Sequence, residues 1–236
     1  MRPVAISALL LCALYPLSAS VLAKTTKIGK TTVHYKVVLP EPYDASKAYP
    51  GVLAFSGGPQ TMTTVDGAIT RNWREQAEKR GYIVVIPAAP DDQLFFEDGA
   101  RVFPEFVTRF LAEYKIQDGK LHIAGVSNGG ISAFHIAALY PQFFLSITGY
   151  PGYLPDATPA RVQAISKMCV NMYAGQLDQG WADAMQKQSS GFRAAGMTVH
   201  FSVEKGQPHR IDTLAGAGAA RLFDFFEETR KGCGKR

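Results

Sequence analysis

Residues 121–140 read LHIAGVSNGGISAFHIAALY. The opening LHIA is a short, mostly apolar run of the kind that forms a strand, and residues 128–140 read as a helix stopped by Pro141. Between them lies GVSNGG, with Ser127 flanked two residues away on each side by Gly125 and Gly129. In a strand–turn–helix context, G-x-S-x-G acts as a nucleophile elbow. The turn is so tight that the serine takes a strained backbone conformation, and side chains at positions 125 or 129 would clash with neighbouring backbone. Ser127 Oγ then projects above the sheet at the positive end of a helix, where a developing oxyanion is favoured. The plain alternative is a turn in which Ser127 caps the helix.

Working outward, apolar strands and amphipathic helices alternate. Residues 33–39, 51–55, 82–86, 121–124, 145–149, 169–174 and 198–203 read as strands, bounded by Gly, Pro and polar residues. Phe103, Phe106, Val107, Phe110, Leu111 and Tyr114 recur at helical spacing, with Pro104 tolerated in the first turn. Further helices are expected over 66–80, 181–195 and 212–230. Such alternation predicts the α/β class, a mostly parallel central sheet with helices on both faces. Ligands then bind beyond the carboxyl ends of the strands, so the loops after Phe55, Ile86, Ala124, Gly149, Ala174 and Val203 carry the search.

A serine hydroxyl needs a base to take its proton. His34, His122 and His200 fall in strand patterns and His135 in mid-helix, where packing explains them. His209 follows the last strand in EKGQPH and is the candidate general base. The strand 169–174 runs into GQLD, placing Asp178 in the next loop as the candidate that orients the imidazole. Asp183, also downstream, falls inside a helical stretch. The chain order Ser127, Asp178, His209 is the one characteristic of α/β-hydrolases. For the oxyanion, the backbone N–H of Asn128 is one candidate donor. Gly58, in the loop Ser56-Gly57-Gly58-Pro59 after an early strand, is the other. Phe95, Phe96, Tyr150, Tyr153 and Trp181 lie in or near loops at this end and are the candidate substrate-binding residues.

The N-terminal MRPVAISALLLCALYPLSASVLA has the form of a signal peptide: Arg2, an apolar stretch over residues 4–17, and a small-residue cleavage signature ending at Ala23. Its apolar run is shorter than the ~20 residues that cross a bilayer. The expectation is a leader over 1–23, an exported protein in a periplasm or outside the cell, and a single domain over 24–236 not held in a membrane. The formal net charge of +5 is spread along the chain, and no nucleic-acid motif accompanies it. No His or Cys spacing suits a metal, and no cofactor motif appears. Cys169 and Cys233 either form a bridge, which an oxidising compartment permits, or stay as a buried thiol and a loose one.

With these residues in view, the stretch 33–226 resembles the α/β-hydrolase superfamily. GVSNGGISAFHIAALYPQFFLSITGYPG looks like the secreted esterases grouped with polyhydroxybutyrate depolymerases and feruloyl esterases. LPEPYDASKAYPGVLAF and AEYKIQDGKLHIAGVSNGG are similar to that group's entry strands and its approach to the elbow. The resemblance implies a Ser127–His209–Asp178 triad acting on a small-molecule or polymer-attached ester. The chain departs from the group in having Ser56-Gly57 where His-Gly is common. Two other readings stand beside it. A prolyl-oligopeptidase-like peptidase shares the fold, although such enzymes usually carry an added domain for which a 24–236 chain has no room. A non-catalytic binding module on a hydrolase scaffold is the third.

Overall fold

The structure, a computed structural model, describes residues 20–233. Eight strands form one sheet: β1 (Val21–Ile28), β2 (Thr31–Val38), β3 (Tyr49–Phe55), β4 (Ile83–Pro87), β5 (Ile116–Gly125), β6 (Phe144–Gly149), β7 (Cys169–Gly175) and β8 (Val199–Glu204). Their order across the sheet is β1-β2-β4-β3-β5-β6-β7-β8. The first two strands make an antiparallel hairpin, β2 also runs antiparallel to β4, and every other pairing is parallel. Parallel neighbours need crossovers, and these place helices on both faces.

Alternation along the central strands sorts side chains between two cores. Leu53 and Phe55 on β3, Ile83 and Val85 on β4, and Leu121 and Ile123 on β5 face one side. There they meet α3 (Phe103–Glu113), α4 (Asn128–Leu139), α5 (Pro159–Ile165) and α6 (Gln179–Ala194). Val52, Ala54, Val84, Ile86 and Ala124 face the opposite side. They pack against α1 (Met62–Ala68), α2 (Arg74–Arg80) and α7 (Ala220–Arg230). Trp73, Tyr82, Phe223 and Phe226 form the aromatic centre of that second layer.

Several elements differ from expectation, each for a local reason. The helix expected over 66–80 starts at Met62, where Thr61 caps it by accepting from Thr64 N–H. It is interrupted by a π turn, Ile69–Trp73, before α2 ends at Gly81 with φ 74°. The helix expected over 212–230 is helical only in α7, because Ala215 is extended (φ −113°, ψ 155°) and Gly216 takes φ 53°. Short 3-10 turns at Asp212–Leu214 and Gly216–Ala219 replace its first half, as the low helix propensity of glycine favours. The strand β1 and the helix α5 were not expected at all. Most of the leader expected over 1–23 lies outside the described residues, but residues 21–23 begin β1, where Val21 faces Val38.

The two cysteine readings resolve into a bridge. Cys169, buried at the start of β7, is bonded to Cys233 just past α7, with Cα atoms 5.6 Å apart. The last helix is thereby fastened to β7, the strand next to the β8 edge of the sheet.

Candidate active site

The elbow is held by backbone contacts that leave no room for side chains. A Cβ on Gly125 would meet the carbonyl oxygen of Gly129, and one on Gly129 would meet the carbonyl oxygen of Ser56. The strand end, the first turn of α4 and the loop after β3 are therefore in van der Waals contact. Ser127 takes φ 57° and ψ −123°, a conformation that L-residues rarely adopt. Its N–H donates to Pro151 O at 2.7 Å, tying the elbow to the segment after β6. Although Ser127 occupies the capping position of α4, its side chain makes no capping hydrogen bond. The plain capping alternative is not what the hydroxyl does.

Instead, Ser127 Oγ lies 2.9 Å from His209 Nε2, and His209 Nδ1 lies 2.6 Å from Asp178 Oδ2. His209 is 31 positions from Asp178 and 82 from Ser127, and the three residues come from the loops after β7, β5 and β8. Asp178 stands at the head of α6, yet its carboxylate does not cap that helix. The carboxylate is shielded at 18 % side-chain exposure, whereas the imidazole is 41 % exposed and reachable from solvent. Asp183 is used locally, accepting from Gln179 Nε2 at 2.7 Å.

The other histidines have structural partners. His122 is buried against Phe226 and Ser146, and burial pushes its pKa down to about 3, so the ring stays neutral. His135 meets Arg161 at 2.8 Å, with its pKa lowered first by burial and then by that guanidinium. His34 contacts Thr25 Oγ1, and His200 packs edge-on to Phe225.

The loop carrying His209 is anchored at both ends. Glu204, the last residue of β8, takes a bidentate pair from Arg221 of α7 at 2.7 and 2.8 Å. Ser202 and Thr213 donate to the same carboxylate. The Arg221 guanidinium, followed by these hydroxyls, pulls the Glu204 carboxyl down to about 2 despite its burial. Within the loop, Gln207 Oε1 accepts from the N–H groups of Asp212 and Thr213, and Gln207 O accepts from Leu177 N–H. The last bond joins the His209 loop to the Asp178 loop.

A cleft of about 1010 Å³ opens beside the imidazole, walled by Gly57, Gly58, Thr64, Arg71, Tyr150 and His209. Gly58 has φ 60°, and its carbonyl accepts from Asn128 Nδ2 at 3.0 Å, so the two oxyanion candidates are neighbours. Neither backbone N–H has an acceptor among the described residues. Ser56, standing where His is common in similar chains, is buried and meets Thr64 Oγ1 at 3.0 Å.

The five aromatic candidates separate. Trp181 packs edge-on to His209 with ring centres 5.0 Å apart, and Tyr153 packs on Trp181 at the same distance. Tyr150 is buried on the cleft floor against Trp73. Phe95 needs correction: it is fully enclosed between Phe55 and Phe103 and belongs to the core, since the loop after β4 turns its ring inward. Phe96 is half-buried and does not wall the cleft beside His209. Among the described residues, no cluster of three or more His, Cys, Asp or Glu side chains is arranged to hold a metal ion. Gln60, Ser132, Glu204 and Arg221, which support the site, belong to no motif in the sequence. Only Glu204, a charge at the end of a strand entering the His209 loop, left any signal in the sequence.

Comparison with known proteins agrees with this architecture. A solved thermostable esterase superposes with a TM-score of 0.68 at 17% identity, covering 91% of this chain and 62% of that one. A ferulic acid esterase gives 0.66 at 17%, covering 89% and 98%. At such identities these likenesses establish the fold, which is that of the α/β-hydrolases. Dipeptidyl-peptidase 5 of Porphyromonas gingivalis is 27% identical over 128 residues, a stretch that spans 49% of this chain but only 19% of that relative. Finally, the model of the esterase family, described as "Putative esterase", matches residues 26–220, and the chain belongs to that family.

Proposed function

We propose that this chain is an exported serine esterase that hydrolyses carboxylic esters through an acyl-enzyme. The observation that carries the reading is the continuous relay from Ser127 Oγ through His209 to Asp178, at 2.9 and 2.6 Å. With its proton on Nδ1, donated to Asp178, the imidazole presents a lone pair on Nε2 to the serine hydroxyl. Ser127 Oγ attacks the ester carbonyl carbon as its proton passes to Nε2. The carbonyl π electrons become an oxyanion, held by the N–H groups of Asn128 and Gly58. Its collapse breaks the bond to the alcohol oxygen, which takes the proton from His209. A water molecule then repeats the sequence on the acyl-enzyme, releasing the acid and restoring Ser127. Trp181 and Tyr153 would flank the bound ester, and no metal or cofactor enters any step.

Export is part of the same reading. The signal-peptide pattern over 1–23 supports it, as does the Cys169–Cys233 bridge, a feature of oxidising compartments. Replacing Ser127 by Ala should lower p-nitrophenyl acetate turnover by at least roughly 1000-fold. Retention of the wild-type rate in that variant would overturn the assignment. The stretch shared with dipeptidyl-peptidase 5 favours one second reading, a serine peptidase using the same three residues. Cleavage of dipeptide amides with no turnover of a panel of esters differing in acyl length and aromaticity would select it.

A further inference from the structure

The loop that carries Gly58 is buried at Ser56 and Gln60 and exposed at Gly58 and Pro59 between them. A side chain built at Gly58 would meet nothing within 4 Å, so the space beside its Cα is open. Two of the loop's hydrogen-bonded ties lead to residue 128. In the first, Asn128 Nδ2 donates directly to Gly58 O at 3.0 Å. The second runs through Gln60, which is fully buried and takes the left-handed φ of 54° that is uncommon away from glycine.

Gln60 uses each of its polar groups. Its carbonyl accepts from Ala89 N–H at 2.8 Å, and its side-chain Oε1 accepts from Phe95 N–H at 3.1 Å. Its Nε2 donates to Ser132 Oγ at 3.0 Å, and Ser132 Oγ donates onward to Asn128 O at 2.9 Å. The Gln60–Ser132 link thus crosses from the loop to the first turn of α4, whose leading N–H belongs to Asn128. A buried amide so fully paired resists displacement, because any shift strands a polar group away from water.

From this network we infer that the side chains of Asn128, Gln60 and Ser132 are positioning residues that fix the Gly58 peptide against the head of α4. They set the spacing between the two oxyanion donors without touching substrate themselves. The inference rests on the esterase reading above. A buried glutamine could serve only to satisfy Phe95 N–H, so the tests use Asn128 and Ser132, which leave that bond intact. Asn128→Ala keeps the backbone N–H that would bind the oxyanion and removes only the tie to Gly58. Ser132→Ala cuts the second tie.

The experiment measures p-nitrophenyl acetate hydrolysis per active site, with sites counted by fluorophosphonate labelling, and inhibition by a trifluoromethyl ketone that forms a tetrahedral adduct. Ser127→Ala is the control for the underlying reading: if it keeps wild-type turnover, that reading fails and the ties are not at issue. With that control inactive, Asn128→Ala should lose roughly 10- to 100-fold in kcat with KM within about threefold, as displacement of donors by a fraction of an ångström implies. The ketone should weaken by the same factor, and Ser132→Ala should show a smaller loss of the same kind. A purely structural role would lower the labelled fraction and Tm while leaving kcat per labelled site unchanged. That result, or unaltered kcat and ketone affinity in both variants, overturns the proposal.

Discussion

Replacing Glu204 by Gln should weaken the fold in a way that acid erases. The Glu204 carboxylate is 9 % exposed and receives two bonds from Arg221 and one each from Ser202 and Thr213. These contacts hold its pKa at about 2 against an ordinary 4.5. At about 1.4 kcal/mol per pH unit, the displacement corresponds to roughly 3 kcal/mol of stability at neutral pH. Arg221 is 41 % exposed, so solvent screens one side of the pair, and a loss of about 2–3 kcal/mol is expected of the variant at pH 7. Because the folded-state pKa is depressed, the contribution is complete above about pH 4.5 and disappears as pH falls through about 2. The gap between wild type and Glu204→Gln should therefore shrink to under about half its neutral value by pH 3. Urea unfolding followed by the fluorescence of Trp73 and Trp181 at pH 7, 4 and 3 measures it. A variant as stable as wild type at pH 7, or a gap that does not change with pH, would refute the reasoning. Since the same carboxylate anchors the His209 loop, esterase turnover should fall with it.

Two further outcomes follow from burial and connectivity. Phe95→Ala should cost about 3–5 kcal/mol in denaturant unfolding while KM of the folded fraction stays unchanged, whereas Trp181→Ala should alter kcat/KM with a Tm within about 3 °C of wild type; the opposite pattern would move Phe95 back into the pocket. Cys233→Ser opens a loop spanning 64 positions and should lower stability by up to roughly 4 kcal/mol, read as a Tm decrease matched by reduction of the wild type and absent from the reduced variant.

The order of chemistry along the chain was legible because it depends on loops that each follow a strand. Ser127, Asp178 and His209 could be picked out one at a time, and the parallel sheet brings such loops to one edge. What stayed hidden depends on contacts between distant segments or on weak local patterns. β1, Val21–Ile28, is only partly buried and carries the polar run Lys-Thr-Thr-Lys, and its start overlaps a stretch that also has the form of a leader. α5 is too short for its periodicity to register, having Ile165 as its buried residue. Phe95 and Phe96 are equivalent in sequence, and only the turn of the chain after β4 decides which ring enters the core. Gln60 follows Gly-Gly-Pro and reads as an ordinary turn residue; its role as a crosslink comes from Phe95 and Ser132, 35 and 72 positions away.

The π turn at Ile69–Trp73 joins the cleft to the core beneath it. Arg71 leans from it to Asp212 and Ile211 O, Asn72 reaches Leu214 O, and Trp73 packs against Tyr150 and Phe223. A wide turn accommodates one residue more than a regular helix would. Deleting a residue there would tighten the turn to a regular helical one with α1 and α2 still in register, so Arg71, Asn72 and Trp73 would not all keep their present directions, and either a tie to the segment that follows His209 or the indole's place in the core would be lost. Length at this point is therefore constrained along with composition, because the wide turn lets three consecutive residues serve both the segment beside His209 and the hydrophobic layer.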